Sequence, residues 1–117
     1  MPKPGFVVRV PACGPIVKEP FDCEHSYQQL SDAVGGYIEL AIIPKIETSG
    51  SFAVDCFVNE EGFLLGLPLN PRLTSFAREV YRGSLVGDAI FVGHNGEGET
   101  VGLDEMTANR IVSLLSS

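Results

Sequence analysis

The stretch VGGYIE at residues 34–39 decides the fold of this chain, because it marks where one regular element ends and the next begins. Before it, Tyr27, Leu30 and Val34 recur at helical spacing, and Gly35 supplies the left-handed conformation that ends many helices. After it, apolar and polar residues alternate as far as Pro44, as in a half-buried strand. The segment therefore predicts a helix over 26–34 followed by a strand over 37–43.

Both elements carry a second signal. Ser26 lies three residues before Gln29, which is the spacing of a capping box at the start of a helix. In the strand, alternation predicts two faces, with Ile38, Leu40 and Ile42 on one and Tyr37, Glu39 and Ala41 on the other. We therefore expect a capped helix and a regularly alternating strand.

Two short strands are predicted upstream of the helix. The β-branched run FVVRV at 6–10 is stopped by Pro11, and the turn signal at 13–15 leads into a second strand around 16–18. The chain is therefore expected to begin with a hairpin.

Two further joints lie downstream, NEEG at 59–62 and LPLNPR at 67–72. A strand over 52–58 precedes the first joint and the apolar run FLL at 63–65 follows it, so these segments are predicted to pair as a hairpin. A polar loop at 48–51 is expected before that strand. In the second joint, Asn70 and Pro71 predict an N-cap and the first residue of a helix that runs to about Arg82 and ends at Gly83.

The remaining residues predict one more strand at 89–92 and a terminal helix capped by Asp104. The helix residues expected to pack on the domain are Met106, Ile111 and Leu114 or Leu115. The segment GHNGEG at 93–98 is predicted to be a flexible acidic loop, because Glu97 within it and Glu99 just after it would repel a phosphate. The element order is then β-β-α-β-β-α-β-α in a single α+β domain over 1–117, with a mixed sheet packed on helices in a β-grasp-like or another small α+β arrangement.

The composition is that of one ordinary globular domain, with 44% hydrophobic and 20% charged residues. The formal net charge is -7, and the chain has only 8 Lys and Arg residues. Direct binding to a nucleic-acid backbone is therefore not expected, because it requires clustered positive charge. Without a run of about 20 apolar residues or a signal-like N-terminus, the sequence predicts a cytoplasmic protein that does not enter membranes.

The three cysteines favour a reducing compartment over a disulfide framework, because they are odd in number and form no C-x-x-C pair. A zinc site built from Cys13, Cys23, His25 and Cys56 is disfavoured, since structural zinc sites usually take their ligands in close pairs. Cys56 shares a predicted strand face with apolar residues and is expected in the core. No metal or cofactor is predicted.

The segments VGGYIE, NEEG and LPLNPR, together with LVG at 85–87 and IFVG at 90–93, resemble the uncharacterised family known as domain of unknown function 3846. The similarity covers about 17–93, with a C-terminal loop and helix at 94–117 beyond it. The family's members are small proteins of bacteria, plasmids and phages, so the resemblance implies a setting among mobile elements. It implies no reaction, and the three cysteines are not part of its pattern.

Four residues are candidates for ligand binding: Asn70, Arg72, Glu39 and Asn59. A helix that opens at Asn70 presents free N–H groups, and Arg72 could clamp a phosphate or carboxylate there. We expect Arg72→Ala to lower the affinity for such a ligand without unfolding the domain. The alternative is that Asn70 only caps the helix while Arg72 pairs with Glu60 or Glu61. Glu39 is either a contact residue or part of a solvated strand face.

The absence of a local catalytic motif favours a protein that is not an enzyme. The leading hypothesis is a binding or interaction module, an accessory protein of a phage or plasmid that engages a host protein or a small anionic ligand. One alternative is an acidic DNA mimic acting against restriction, which the net charge permits. Another is a small hydrolase or transferase using His25 or His94, the two imidazoles of the chain.

Overall fold

The computed structural model describes residues 5–42, 44, 46, 48 and 52–116. The predicted positions Ile43, Ser49, Gly50 and Ser51 lie outside the described residues. In the described part, the elements follow one another in this order: β1 Phe6–Val10, β2 Val17–Pro20, α1 Ser26–Val34, β3 Ile38–Ile42, β4 Phe52–Asn59, α2 Pro71–Phe76, a 3₁₀ turn Ala77–Glu79, β5 Ala89–Asn95, β6 Thr100–Val101 and α3 Glu105–Ser116. The α+β class and the predicted order are confirmed, with the short β6 as an addition.

The six strands form one sheet in the order β2-β1-β5-β4-β3, and β6 pairs with β5 beyond the end of β1. Each of these pairings is antiparallel, so the prediction of a mixed sheet is wrong. β3 lies at one edge of the sheet and β2 at the other. The position of β3 at an edge matters below, because the candidate site borders it.

Helices cover both faces of the sheet. α1 packs on one face with alternate residues of β1 and β5, and the small core there contains Val7, Leu30, Ala33, Val34, Ile90 and Val92. The larger core on the other face lies under α2 and α3 and includes Val8, Phe91, Leu73 and Ile111. Within the described residues, helices on both faces thus replace the β-grasp-like arrangement of one sheet around one helix.

α1 has the predicted bounds, and Gly35 ends it in the left-handed conformation with a φ of 78°. The predicted capping box is wrong, because the N-cap residue is His25 and no side chain caps the helix. The Asp22 carboxylate instead accepts hydrogen bonds from the N–H groups of Glu24 and His25, and the Gln29 side chain accepts one from the N–H of Asp22. The turn before the helix thus engages the Gln29 side chain that the capping box would have used.

β3 departs from the predicted alternation through a bulge at Ala41, since Leu40 lies opposite Phe57 while Ile42 lies opposite Cys56. Ile38 packs on the α1 face and Ile42 joins the core on the opposite face. The prediction that Ile38, Leu40 and Ile42 share one face is therefore wrong, because one extra residue reverses the side-chain direction.

The predicted hairpin between β4 and residues 63–65 is also wrong. β4 pairs with β3 on one side and β5 on the other, which leaves it no free edge for another strand. Residues 60–66 form turns, stabilised by hydrogen bonds from Leu65 N to Glu61 O at 2.8 Å and from Leu67 N to Gly62 O at 2.9 Å. The apolar run is consequently a surface loop.

The second predicted helix begins at Pro71 as expected but ends well before Arg82. The chain turns back after the 3₁₀ turn because Leu85 is held against the helix start: its N–H donates to Thr74 Oγ1 at 2.9 Å, and its carbonyl accepts from Asn70 N at 2.8 Å. Helical spacing from Leu73 would place Val80 and Tyr81 on the buried face of the predicted helix, but both are exposed. The contacts of Leu85 with the start of α2 thus end the helix earlier than the spacing of its apolar residues predicts.

At the C-terminus, the Asp104 cap is confirmed by a hydrogen bond from Thr107 N to Asp104 Oδ1 at 2.8 Å. Ile111 and Leu115 of α3 are buried as predicted, whereas Met106 and Leu114 are exposed. Part of the predicted acidic loop is regular structure, because β5 continues through Asn95 and pairs with β6.

Candidate functional site

The most exposed apolar segment in the described part of the chain is residues 60–66, which we call the apolar loop. Its side chains Phe63, Leu64 and Leu65 are 71%, 82% and 58% exposed. Gly62 and Gly66 bracket this run, and Gly66 has a φ of 67°, a conformation that side-chain-bearing residues rarely adopt. Three large apolar side chains in succession are thus held in solvent by a closed turn.

Asn59, one of the predicted site residues, is 5% exposed and holds this loop through hydrogen bonds of its buried side chain. Its Nδ2 donates to the carbonyl oxygen of Val34 at 3.2 Å, and its Oδ1 accepts from Glu61 N at 2.8 Å. A Cβ on Gly36 would approach the Asn59 amide nitrogen to 2.9 Å, so the second glycine of VGGYIE makes room for this amide. Asn59 therefore joins the end of α1 to the apolar loop and is a positioning residue.

A cleft of about 170 Å³ lies beside the apolar loop. Glu39 and Ala41 of β3 and Val58 of β4 line one part of it, and the rest is lined by Leu40, Asn59, Glu60, Gly62, Phe63, Tyr81, Leu85 and Val86. Glu39 lies opposite Val58 in the ladder, so both side chains point to the face on which the cleft opens. Its charged lining residues are two glutamates, Glu39 and Glu60, above an apolar floor.

An open groove continues from this cleft across the loop and is lined by Tyr37, Glu60, Glu61, Phe63 and Leu64. Tyr37 is 66% exposed, and Leu40 is also exposed. We call the apolar loop, the cleft and this groove together the docking surface. It combines exposed apolar and aromatic side chains with three carboxylates.

Asn70 does not present its side chain to a ligand in solvent, since that side chain is completely buried. Its Oδ1 accepts from Leu73 N at 3.1 Å, which confirms the predicted N-cap. Its Nδ2 donates to the carbonyl oxygens of Val10 at 2.9 Å and Gly87 at 3.0 Å. Asn70 therefore connects α2 to β1 and to the segment before β5.

Arg72 contacts the N-terminal hairpin and forms no ion pair with Glu60 or Glu61 in the described part of the chain. Its Nη2 donates to the carbonyl oxygens of Pro11 at 2.7 Å and Gly14 at 2.6 Å. α2 has only six residues, so its dipole is short. At the predicted anion site, the Arg72 guanidinium therefore holds the loop between β1 and β2. Anion binding there stays a prediction.

We expect Arg72→Ala to lower the free energy of unfolding by about 1–3 kcal/mol, because two hydrogen bonds from a charged donor are lost. The increase in amide hydrogen exchange should be confined to the β1–β2 turn around Gly14. Urea denaturation followed by exchange mass spectrometry measures both effects. Arg82→Ala, an exposed arginine, is the control. A variant as stable as the wild type, with unchanged exchange at the turn, would show that these bonds contribute nothing.

The two imidazoles lie outside the docking surface. His94 Nδ1 is 2.8 Å from Asp55 Oδ1 across β4 and β5, and His25 Nδ1 is 3.4 Å from Asp22 Oδ2 on the surface before α1. Each pair could orient an imidazole for proton transfer. Neither histidine is among the residues that line the cleft or the groove.

Cys56 is buried in β4, as predicted, while Cys13 and Cys23 are exposed free thiols. Burial, with the neighbouring Asp55 charge, raises the pKa of the Cys56 thiol well above its ordinary value, so it stays protonated and unreactive. Among the described residues, no group of three or more His, Cys, Asp or Glu side chains is arranged to hold a metal ion. Nor does any helix in that part of the chain have the length and apolar character needed to cross a membrane.

The chain matches a protein-family model. The family model described as Domain of unknown function (DUF3846) matches residues 10–116, which is nearly the whole chain. The resemblance predicted for 17–93 is thereby confirmed and extended at both ends. Neither a curated protein nor a solved structure matches the chain.

Proposed function

We propose that this chain, which belongs to the DUF3846 family, is a non-enzymatic module that binds a partner protein through the docking surface. One observation carries the proposal: Phe63, Leu64 and Leu65 are all more than half exposed, beside a cleft. Contiguous exposed apolar surface has a cost in solubility and usually marks an interaction site. Tyr37 and Phe63 there are of the aromatic kind that is enriched at interfaces.

The backbone under this surface supports the same proposal, because hydrogen bonds within the domain organise it. The apolar loop is closed by its own backbone hydrogen bonds, and Asn59 fixes it to the end of α1. A surface that is already organised loses little conformational entropy on binding, so more of the contact energy appears as affinity.

The charges favour a protein over a small anion as the ligand of this surface. The charged residues that line the cleft and the groove are Glu39, Glu60 and Glu61, which repel anions. The expected setting among mobile elements makes a host protein the natural partner, and this remains part of the proposal. The exposed thiols of Cys13 and Cys23 support a reducing, cytoplasmic location.

A photo-crosslinking amino acid at position 64 tests the proposal, because Leu64 is the most exposed of the three apolar side chains of the loop. The crosslinked protein is identified, purified and titrated directly against the domain. We expect Leu64→Ser to weaken this binding by about tenfold or more, as for a residue at the centre of an interface. Its effect on the free energy of unfolding should stay within about 0.5 kcal/mol, because the side chain is in solvent.

Met106→Ser is the matched control, since Met106 is a similarly exposed apolar residue on α3, at 73%. It should bind the purified partner with wild-type affinity. Equal binding by wild type, Leu64→Ser and Met106→Ser would overturn the proposal. So would a purified domain that binds no crosslinked protein and instead turns over a substrate through His25 or His94.

A further inference from the structure

We infer that the partner supplies an extended segment that pairs with the edge of β3 and places a lysine or arginine side chain in the cleft against Glu39. This inference rests on the proposed function and adds the chemistry of the partner to it. Three features carry it: the edge position of β3, the make-up of the cleft and the sign of the surrounding charge.

β3 offers backbone groups for pairing along its outer side. Among the described residues, its strand partner is β4 alone. The N–H of Glu60 donates to the carbonyl of Tyr37 at 2.9 Å, in the same register as the ladder. In an antiparallel ladder, residues that bond to the neighbour alternate with residues whose backbone groups point away from it. Ile38 and Leu40 therefore direct their backbone groups away from β4.

The bulge at Ala41 limits how far a partner strand can continue. A bulge bends the strand and interrupts its ladder, which is one way in which proteins prevent edge strands from aggregating. Pairing is thus restricted to the short segment from Ile38 to Leu40. Main-chain hydrogen bonds supply affinity when a strand is added to a sheet, but two or three paired residues form few of them, so the side chains must supply the rest.

The cleft suits a long cationic side chain. Ala41, Val58 and Leu85 provide apolar surface for an aliphatic stem, and the Glu39 carboxylate provides the counter-charge. Tyr81 lines the same cleft and adds an aromatic ring near which a cation is favourable. Glu60 and Glu61 extend the negative charge along the groove, so a second basic residue of an extended segment would also be attracted.

A second copy of the chain is a poor occupant of the same edge. Each copy has a net charge of -7, and pairing β3 with β3 would bring acidic surfaces, including both Glu39 side chains, together. Like charges across a strand pair are destabilising. The occupant is therefore a different protein with a basic and apolar extended segment.

Selection from a display library of random short peptides on the immobilised full domain tests the inference. We expect the enriched peptides to alternate apolar with basic residues. The strongest peptide should slow hydrogen exchange at the amides of Ile38 and Leu40, and its affinity should fall as salt is added. Glu39→Gln should lower the affinity for this peptide by about threefold or more, as expected for the loss of one partly exposed ion pair. Selection on Glu39→Lys should lose the preference for basic residues.

Glu97→Gln is the control, because Glu97 is an exposed glutamate in the turn between β5 and β6. It should bind the selected peptide as the wild type does. The inference is overturned if no peptide is enriched, if the peptides bind Glu39→Gln unchanged, or if Ile38 and Leu40 show no protection. In each of these cases a partner that still requires Leu64 would leave the proposed function intact. If instead Leu64→Ser left binding of the partner unchanged, the proposed function itself would be overturned.

Discussion

Replacing Asn70 by alanine is expected to lower the free energy of unfolding by about 3–5 kcal/mol, one of the two largest effects we expect from a single substitution. The side chain is fully buried and serves three backbone groups: the N–H of Leu73 and the carbonyls of Val10 and Gly87. Each buried group left without a partner costs about 1–3 kcal/mol, and the lost helix cap adds to this. Urea or guanidinium denaturation at equilibrium measures the change.

Asn70→Asp separates the cap from the other two contacts. It keeps an oxygen for Leu73 N but places a carboxylate against the carbonyl oxygens of Val10 and Gly87. Burial and these dipoles should raise the pKa of the introduced carboxyl above its unfolded value. Its deficit in stability should therefore shrink as the pH falls through that raised value, since the protonated form can donate one hydrogen bond.

The same variants decide between the two roles of Asn70 that the sequence allowed. A ligand-binding asparagine would lose affinity on substitution with little change in stability. We expect the reverse, because all of its polar atoms are used within the fold. An alanine variant within about 0.5 kcal/mol of the wild type, the range of ordinary surface substitutions, would contradict this account.

Local signals predicted the elements well where the chain determines its own conformation. Gly35 ends α1 where the sequence placed it, and Asn70 caps α2 as its position before Pro71 indicated. Cys56 is in the core, because alternation is regular along β4. In these cases the determining contacts lie within a few residues along the chain.

Prediction failed where a distant segment determines the conformation. The bulge in β3 depends on its pairing with β4, and the early end of α2 depends on the return of the chain at Leu85. Residues 63–65 have the composition of a strand but follow a strand that is already paired on both sides. The bracketing glycines, Gly62 and Gly66, together with the lack of alternation between them, were the available signals for a loop.

The candidate site was predicted only in part. Glu39 and Asn59 were selected separately, and the structure brings both to the cleft, one as a lining carboxylate and the other mainly as support. Asn70 and Arg72 are used within the fold. Tyr81 and Leu85 could not have been assigned to the site, because they reach it only through the turn that shortens α2. The apolar run at 63–65 predicts a strand, whereas Phe63 lies on the surface of a loop.

Two phenylalanines in this chain are expected to respond in opposite ways to substitution by alanine. Phe91 is fully buried at the centre of β5, opposite Val8 and Cys56, and its ring meets that of Phe76 edge-on at 5.7 Å. Phe91→Ala should lower the free energy of unfolding by about 3–5 kcal/mol, through lost burial and the cavity that remains. Denaturant titration measures this loss, and Phe91→Leu should recover much of it by refilling the volume.

Phe63 is the matched control, an equally large ring that is 71% exposed. Phe63→Ala should change the free energy of unfolding by no more than about 0.5 kcal/mol. It should nevertheless weaken binding of the partner that is crosslinked through position 64, because the ring borders both the cleft and the groove. Opposite responses would separate the residues that hold the fold from those that serve binding. If Phe63→Ala instead destabilised the domain as much as Phe91→Ala, the apolar loop would belong to the core, and the docking surface would not exist as described.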